Sequence, residues 1–264
     1  LIQSYKIRDF GDEMTKKIRK MYEWLLADEW ENRDPSKTPQ GKGEPAPPIQ
    51  KTMSVLTQCV SLPPVANLNL GNVSVRDAIL RRSSRRVFSN EPLSLEELSY
   101  LLWATAGIRG IRKEGESAFR MVPSGGCRHP IETYLLINRI DGISPGLYHF
   151  QPFEHDLCFI REIPNQSEQI KNMCLGKVFC ADAPVLFVWT AIPYRTEWRF
   201  GSVSPKLIAQ DSGHICQNLY LAAESIGCGT CAVGAYHQHH ADRLIGLDGI
   251  NEFVIYMAPV GKQM

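Results

Sequence analysis

Lys206-Leu207-Ile208-Ala209-Gln210-Asp211-Ser212-Gly213-His214-Ile215-Cys216-Gln217-Asn218-Leu219-Tyr220-Leu221-Ala222-Ala223-Glu224-Ser225-Ile226 is the longest clean helical pattern in the chain. It runs directly into Gly227-Cys228-Gly229-Thr230-Cys231-Ala232-Val233-Gly234-Ala235-Tyr236. Ile208, Ile215, Leu219, Ala222, Ala223 and Ile226 recur at helical spacing, and Gly227 supplies the stop. The small side chains at 222 and 223 leave room for a second helix to approach closely. The loop that follows is built almost wholly of small residues, so its peptide groups are sterically open to a ligand.

Outward from this helix, three β-rich apolar runs read as strands buried on both faces: Thr133 to Asn138, Pro184 to Ala191 and Glu252 to Ala258. A short helix is expected at 75–82. Another opens at Ser94-Leu95-Glu96-Glu97, a capping box, carries Leu98, Leu101 and Leu102 inward, and stops at Gly107. Residues 12–31 read as a helix with Met14, Ile18, Met21, Leu25 and Leu26 near one face. From Arg33 to Pro64 the repeated prolines exclude helix and central strand. That stretch reads as an extended arm joining the N-terminal helix to the main body, which either wanders or lies across a partner subunit, the partner being favoured. The order of elements indicates an α+β fold with a mixed sheet and several helices, not a regular βαβ array. The chain is expected to divide into a helix and arm, residues 1–64, and a main domain, residues 65–264.

With 29 basic and 28 acidic side chains, the overall charge offers no attraction to nucleic acid or to a membrane surface, so any phosphate site must be a local basic cluster. No apolar run reaches the roughly 18 residues of a membrane span, and the N-terminus has no signal-peptide core. A chain of 264 residues needs no disulfide staples, so its eight cysteines read as reduced thiols of a cytoplasmic protein, most of them core filler.

Four constellations can carry chemistry. Arg81-Arg82-Ser83-Ser84-Arg85-Arg86 is either a solvated basic turn or an anion site in which guanidinium forks and a hydroxyl grip a phosphate. Pro123-Ser124-Gly125-Gly126-Cys127-Arg128-His129-Pro130 lets backbone approach a flat or anionic ligand, or is a plain turn. In the loop 227–236, Cys228 and Cys231 have redox or zinc spacing. There is no second such pair for a zinc site, and the pair follows a helix instead of opening one. Ala191 to Phe200 interleaves aromatics with arginine and can line a pocket or a dimer contact.

In this order and over residues 74–262, these segments resemble the SagB/ThcOx branch of the nitroreductase superfamily. The resemblance rests on the Arg-Arg-Ser-Ser-Arg run, Glu97 to Ala104, Pro123 to Gly126 before Pro130 to Tyr134, Gly213 to Leu219, and the loop at 227–236. It implies an intertwined homodimer of nitroreductase-like fold, with a mainly antiparallel sheet flanked by helices and an FMN at each subunit interface. Arg81, Arg82, Ser83 and Arg85 would contact FMN, with Arg81 on the phosphate and Arg85 toward the pyrimidine edge. Ser124 and Gly125 would reach the flavin of the other subunit. Ala232, Val233 and Gly234 would cover the isoalloxazine, with the Gly234 backbone near N5, and Lys262 is a second phosphate candidate. The implied activity is ping-pong transfer of hydride or electrons from NAD(P)H or an organic donor to a small acceptor, with the chemistry carried by the flavin and no metal. Alternatives are a flavin-binding module without turnover and an azoline oxidase acting on a peptide natural product. Some azoline oxidases carry a Lys-Tyr pair upstream of the long helix; here that place reads Arg199-Phe200, with neither amine nor phenol.

Overall fold

The computed structural model describes residues 12–54, 57–112 and 117–264. In chain order the elements are α1 (Asp12–Tyr22), α2 (Asp28–Glu31), β1 (Cys59–Ser61), α3 (Val75–Arg81), α4 (Leu95–Ala106), β2 (Ile108–Arg112) and β3 (Ser117–Arg120). There follow β4 (Ile131–Ile137), β5 (Gly146–Gln151), β6 (Asp156–Arg161), α5 (Gln166–Met173), α6 (Val178–Asp182) and β7 (Val185–Ala191). The chain closes with α7 (Tyr194–Phe200), α8 (Ser204–Ser225), β8 (Cys228–Thr230), α9 (Gln238–Ile245) and β9 (Phe253–Lys262).

A seven-stranded sheet in the order β1-β6-β5-β4-β7-β9-β8 forms the centre, and β2 and β3 make a separate hairpin. Its neighbouring strands all pair antiparallel. Parallel pairing among the described residues is confined to the single bridges Ser84–Thr230 and Leu93–Ile140. Side chains alternate across the pleat, so Ile131, Leu135, Phe187 and Trp189 enter the core shared with α4 and α8. Leu136, Leu186 and Val188 enter a second core that includes Ile170 of α5 and Leu244 of α9. Helices on both faces explain why β4 and β7 read as uninterrupted apolar runs although the sheet is antiparallel.

The capping box at Ser94 and Glu97 forms as expected, with reciprocal hydrogen bonds of 3.1 and 2.8 Å. Asn218 of α8 donates to the Ala104 carbonyl of α4, where small residues bring the helices together. β9 runs four residues beyond the expected end at Ala258. Pro259 is accommodated opposite Leu186, and its carbonyl accepts the Thr230 hydroxyl at 2.8 Å. The helix expected over 12–31 breaks after Tyr22. Beyond the break Trp30 packs edge-on against Phe200, and Arg33 donates to the carbonyls of Arg199 and Phe200, a docking that a straight helix does not reach.

Two further expectations are corrected. Residues 38–51 of the arm lie across their own chain. Prolines lack the N–H that would pair the arm to itself, so its carbonyls take donors from the body. Arg128 donates to Pro47 O at 3.2 Å, Arg195 to Pro48 O at 2.7 Å and Arg120 to Ile49 O at 2.7 Å. Cys59 and Cys158 are not reduced thiols. The register of β1 on β6 sets them directly opposite one another, and they form a disulfide. Of the free cysteines, 174, 180, 216, 228 and 231 are buried as core filler.

Candidate functional site

The first half of the site is assembled at Tyr220 on α8. The basic segment leaves α3 and pairs with β8: Arg85 N–H donates to Thr230 O at 2.9 Å. The Ser84 hydroxyl lies 3.0 Å from the Tyr220 hydroxyl, and the Arg82 guanidinium stands 5.4 Å over the Tyr220 ring. Ala232 N–H donates to the same hydroxyl at 2.8 Å. One phenol therefore joins the arginine segment to the small-residue loop, although Ser84 and Ala232 are 148 positions apart in sequence (84 to 232).

The amides of that loop are not equivalent. Ala232 N–H is taken by Tyr220, and Val233 N–H by the Met257 carbonyl at 2.8 Å. The Gly234 N–H has no partner among the described residues, and Gly234 is exposed. Arg85 lies across Gly229, where a Cβ would come within 2.6 Å of its Cδ, so only glycine permits the approach. Its guanidinium pairs with Glu224 at 3.5 Å, and its Nε is buried without a partner among the described residues. Arg81 and Ser83 are exposed at the end of α3. Lys262 lies opposite Cys228 at the end of β9, with its ammonium 3.7 Å from Glu91 and 3.6 Å from Glu97.

Ser124 and Gly125 sit elsewhere. The Ser124 hydroxyl donates to Asp211 at 2.6 Å and accepts His129 N–H at 2.9 Å, and Gly125 packs on Leu207. Burial raises the Asp211 carboxyl, against the opposing hydrogen bonds from Ser124 and Gly125. Asp211 and Tyr220 are nine residues apart on α8, which is about 14 Å along the axis and on opposite sides of it. Within one chain the two halves are thus carried by opposite flanks of the same helix.

Tyr220, Glu224 and Asp211 are the site-forming residues that sequence reading passed over. They lie on the flanks of a helix whose apolar periodicity points elsewhere. Cys228 and Cys231 are buried free thiols, and burial, followed by the nearby Glu97, pushes Cys228 up to about 12. No group of three or more metal-ligating side chains occurs among the described residues. His237 and His239 are exposed, and His240 bonds to Gln169. In the 191–200 segment Arg195 is committed to the arm and to Glu132, while Trp198 and Arg199 line a cavity.

Residues 79–262 match the sequence pattern of the nitroreductase family. The chain belongs to that family. As a nitroreductase-family protein it is an oxidoreductase, and its basic segment, small-residue loop and C-terminal strand all fall within the matched region. A nitroreductase-like protein of Methanocaldococcus jannaschii is 29% identical over 196 residues, 74% of this chain and 94% of that protein. The trifolitoxin-processing protein TfxB of Rhizobium leguminosarum bv. trifolii is 32% identical over 117 residues, 43% of this chain and 31% of that protein. The fold is also similar to a chain of the E. coli microcin synthetase McbBCD complex, with a TM-score of 0.58 and 19% identity. That likeness covers 97% of this chain and 95% of that one, so it extends beyond the family core into the N-terminal arm. No helix among the described residues is long and apolar enough to cross a membrane.

Proposed function

We propose that this nitroreductase-family oxidoreductase uses FMN and works as a homodimer in which each flavin is held by both chains. The observation that carries the reading is the junction at Tyr220, which brings the arginine segment and a loop with a free Gly234 amide to one place. Those residues fit the cofactor. Arg81, Arg82 and Ser83 offer forked and hydroxyl donors to the phosphate. Arg85, braced by Glu224, sets a guanidinium at the pyrimidine edge, where negative charge develops on reduction. Ala232 and Val233 are pinned from behind, which leaves Gly234 N–H to donate at N5. Lys262 serves as a second phosphate donor, exchanging Glu91 and Glu97 for the phosphate.

FMN, when bound, supplies the hydride and electron chemistry. The protein orients it, excludes water and admits donor and acceptor in turn, which gives ping-pong kinetics; NAD(P)H or an organic substrate is the donor. Ser124 and Gly125 reach the flavin of the other subunit from the far flank of α8. Residues 65–264 would form the flavin-binding domain and residues 1–64 its N-terminal extension. The dimer is supported by apolar side chains that the single chain leaves open beside the site: Val75, Ile79 and Leu80 of α3 are 70%, 58% and 77% exposed.

The test is a visible spectrum of the purified protein together with sedimentation. Flavin bands that bleach with NADH or NADPH, in a dimer, are expected. Bands that stay oxidised with every donor would instead indicate a flavin-binding module without turnover, and a colourless protein would overturn the reading. A second reading, oxidation of azolines in a peptide, is favoured by the full-length fold likeness to the microcin synthetase chain and by the TfxB match. Arg199-Phe200 weighs against it, since the pair carries neither the amine nor the phenol of the Lys-Tyr pair.

A further inference from the structure

Beside the Ser124 turn lies a cavity of about 320 Å³ lined by Arg112, Arg128 and Arg199 together with Gln40, Ser117, Gly126, Cys127 and Trp198. Three arginines line one pocket, and its lining contains no acidic side chain. Among the described residues neither Arg112 nor Arg199 has a carboxylate within ion-pair distance. Arg128 is fixed in place, stacked 4.7 Å over Trp198 and bonded to the Arg195 carbonyl. Arg199 is seated over Gly126, where a Cβ would lie 2.9 Å from its Cδ. Like charges that share one cavity repel one another unless they are screened, and a bound anion lowers that cost.

A second cavity, about 370 Å³, adjoins the first. Phe119, Met121, Val122, Pro123 and Ser124 line it together with Arg109, Arg120 and His129, and Cys127 is common to both. Phe119, Met121, Val122 and Pro123 give it an apolar wall, while Arg109 and Arg120 add further positive charge. A molecule seated across the two would place a charged oxygen group among the arginines and an apolar body along Phe119 to Pro123, ending at Ser124.

We propose that these joined cavities form a substrate subsite for amphiphilic organic anions, with a carboxylate or phosphate held by Arg112 and Arg199 beside the fixed positive charge of Arg128. That the bound molecule then meets a flavin rests on the reading of Ser124 and Gly125 given above; the anion site itself does not. Guanidinium forks match both oxyanions, so the two are separated by the probe.

The experiment uses the protein as purified and titrates 1-naphthoate, 1-naphthyl phosphate and 1-naphthalenemethanol by calorimetry. Either anion is expected to bind at least tenfold tighter than the alcohol, and the tighter of the two identifies the head group. Arg112→Ala and Arg199→Ala, both at exposed positions, are each expected to weaken the anion about tenfold while leaving flavin absorbance unchanged. Cys127 is the free cysteine that is not buried, so the bound anion should also slow its alkylation. Equal binding of anion and alcohol, or anion binding that survives Arg112→Ala with Arg199→Ala, would overturn the proposal. A protein without flavin that still binds the anions through these arginines would overturn only the flavin reading.

Discussion

The Tyr220 hydroxyl accepts the amide of Ala232 at 2.8 Å while lying 3.0 Å from the Ser84 hydroxyl, so a single oxygen ties the two segments that make up the candidate flavin site. Tyr220→Phe removes that tie and leaves the Ala232 N–H unpaired. The expected cost is about 1–3 kcal/mol, the usual penalty for stranding a partly buried donor. Denaturant unfolding of apo and flavin-loaded protein checks it. The loaded form should lose more stability than the apo form, because the loop that faces the ligand is the part released.

Glu224 is the only carboxylate paired with Arg85 among the described residues, and its side chain is 8% exposed. Glu224→Gln keeps the shape and removes the negative charge. If Arg85 stands at the pyrimidine edge, reduction becomes easier and the midpoint potential rises. An effect of about 1 kcal/mol corresponds to about 20 mV for a two-electron couple. A spectroelectrochemical titration that returned the same potential for both proteins would move Arg85 away from the ring.

Acid should destabilise the fold in two stages. His129 is held down at about 3, first by burial and then by Arg120, and its ring nitrogen meets the Ala118 carbonyl at 2.8 Å. Burial alone would raise Glu132, but Arg195, His149 and Arg120 together outweigh it, and the carboxyl is held at about 2. Both groups bind protons more weakly in the folded chain than in the unfolded one. Stability is therefore level above the ordinary histidine value of 6.5 and falls below it. The decline steepens below the ordinary glutamate value of 4.5 and continues to about 2. Between pH 7.5 and 5 the His129 contribution is about 2 kcal/mol. His129→Asn, which tolerates the left-handed backbone at this position, should flatten that interval and leave the lower one. Urea midpoints at pH 7.5, 5 and 4 decide it.

The Cys59–Cys158 disulfide closes a separation of 99 residues and clamps the end of the arm to β6. Reduction, or Cys59→Ser, should lower stability by about 2–4 kcal/mol and free the segment around 59–61 for proteolysis. Thiol trapping of freshly lysed cells followed by mass spectrometry shows whether the bond exists before purification. A fully alkylated Cys59 there would show that the bond forms only after lysis.

Much of the scaffold was legible because it repeats. The apolar period of α8, the capping box of α4 and the unbroken runs of β4 and β7 each announce themselves locally, and all were found where expected within a few residues. β5 and β6 were passed over. Gly146-Leu147-Tyr148-His149-Phe150-Gln151 buries two polar side chains at strand positions, and these become acceptable only through their partners: Glu132 on β4 for His149, and His149 in turn for Gln151. The family's basic segment and small-residue loop were also readable, but as unconnected stretches.

The residues alone determined the class of fold, the helix that organises it and the short list of basic and glycine positions, since those follow from periodicity and from which side chains leave the backbone open. Only tertiary packing decided which of them meet. Tyr220 joins Arg82, Ser84 and Ala232 because α8 turns its flank toward both segments, and Ser124 stands apart because it packs on the opposite flank. Packing also decided where the proline-rich arm goes. Its carbonyls need donors that its own chain segment lacks, and three arginines distant in sequence supply them.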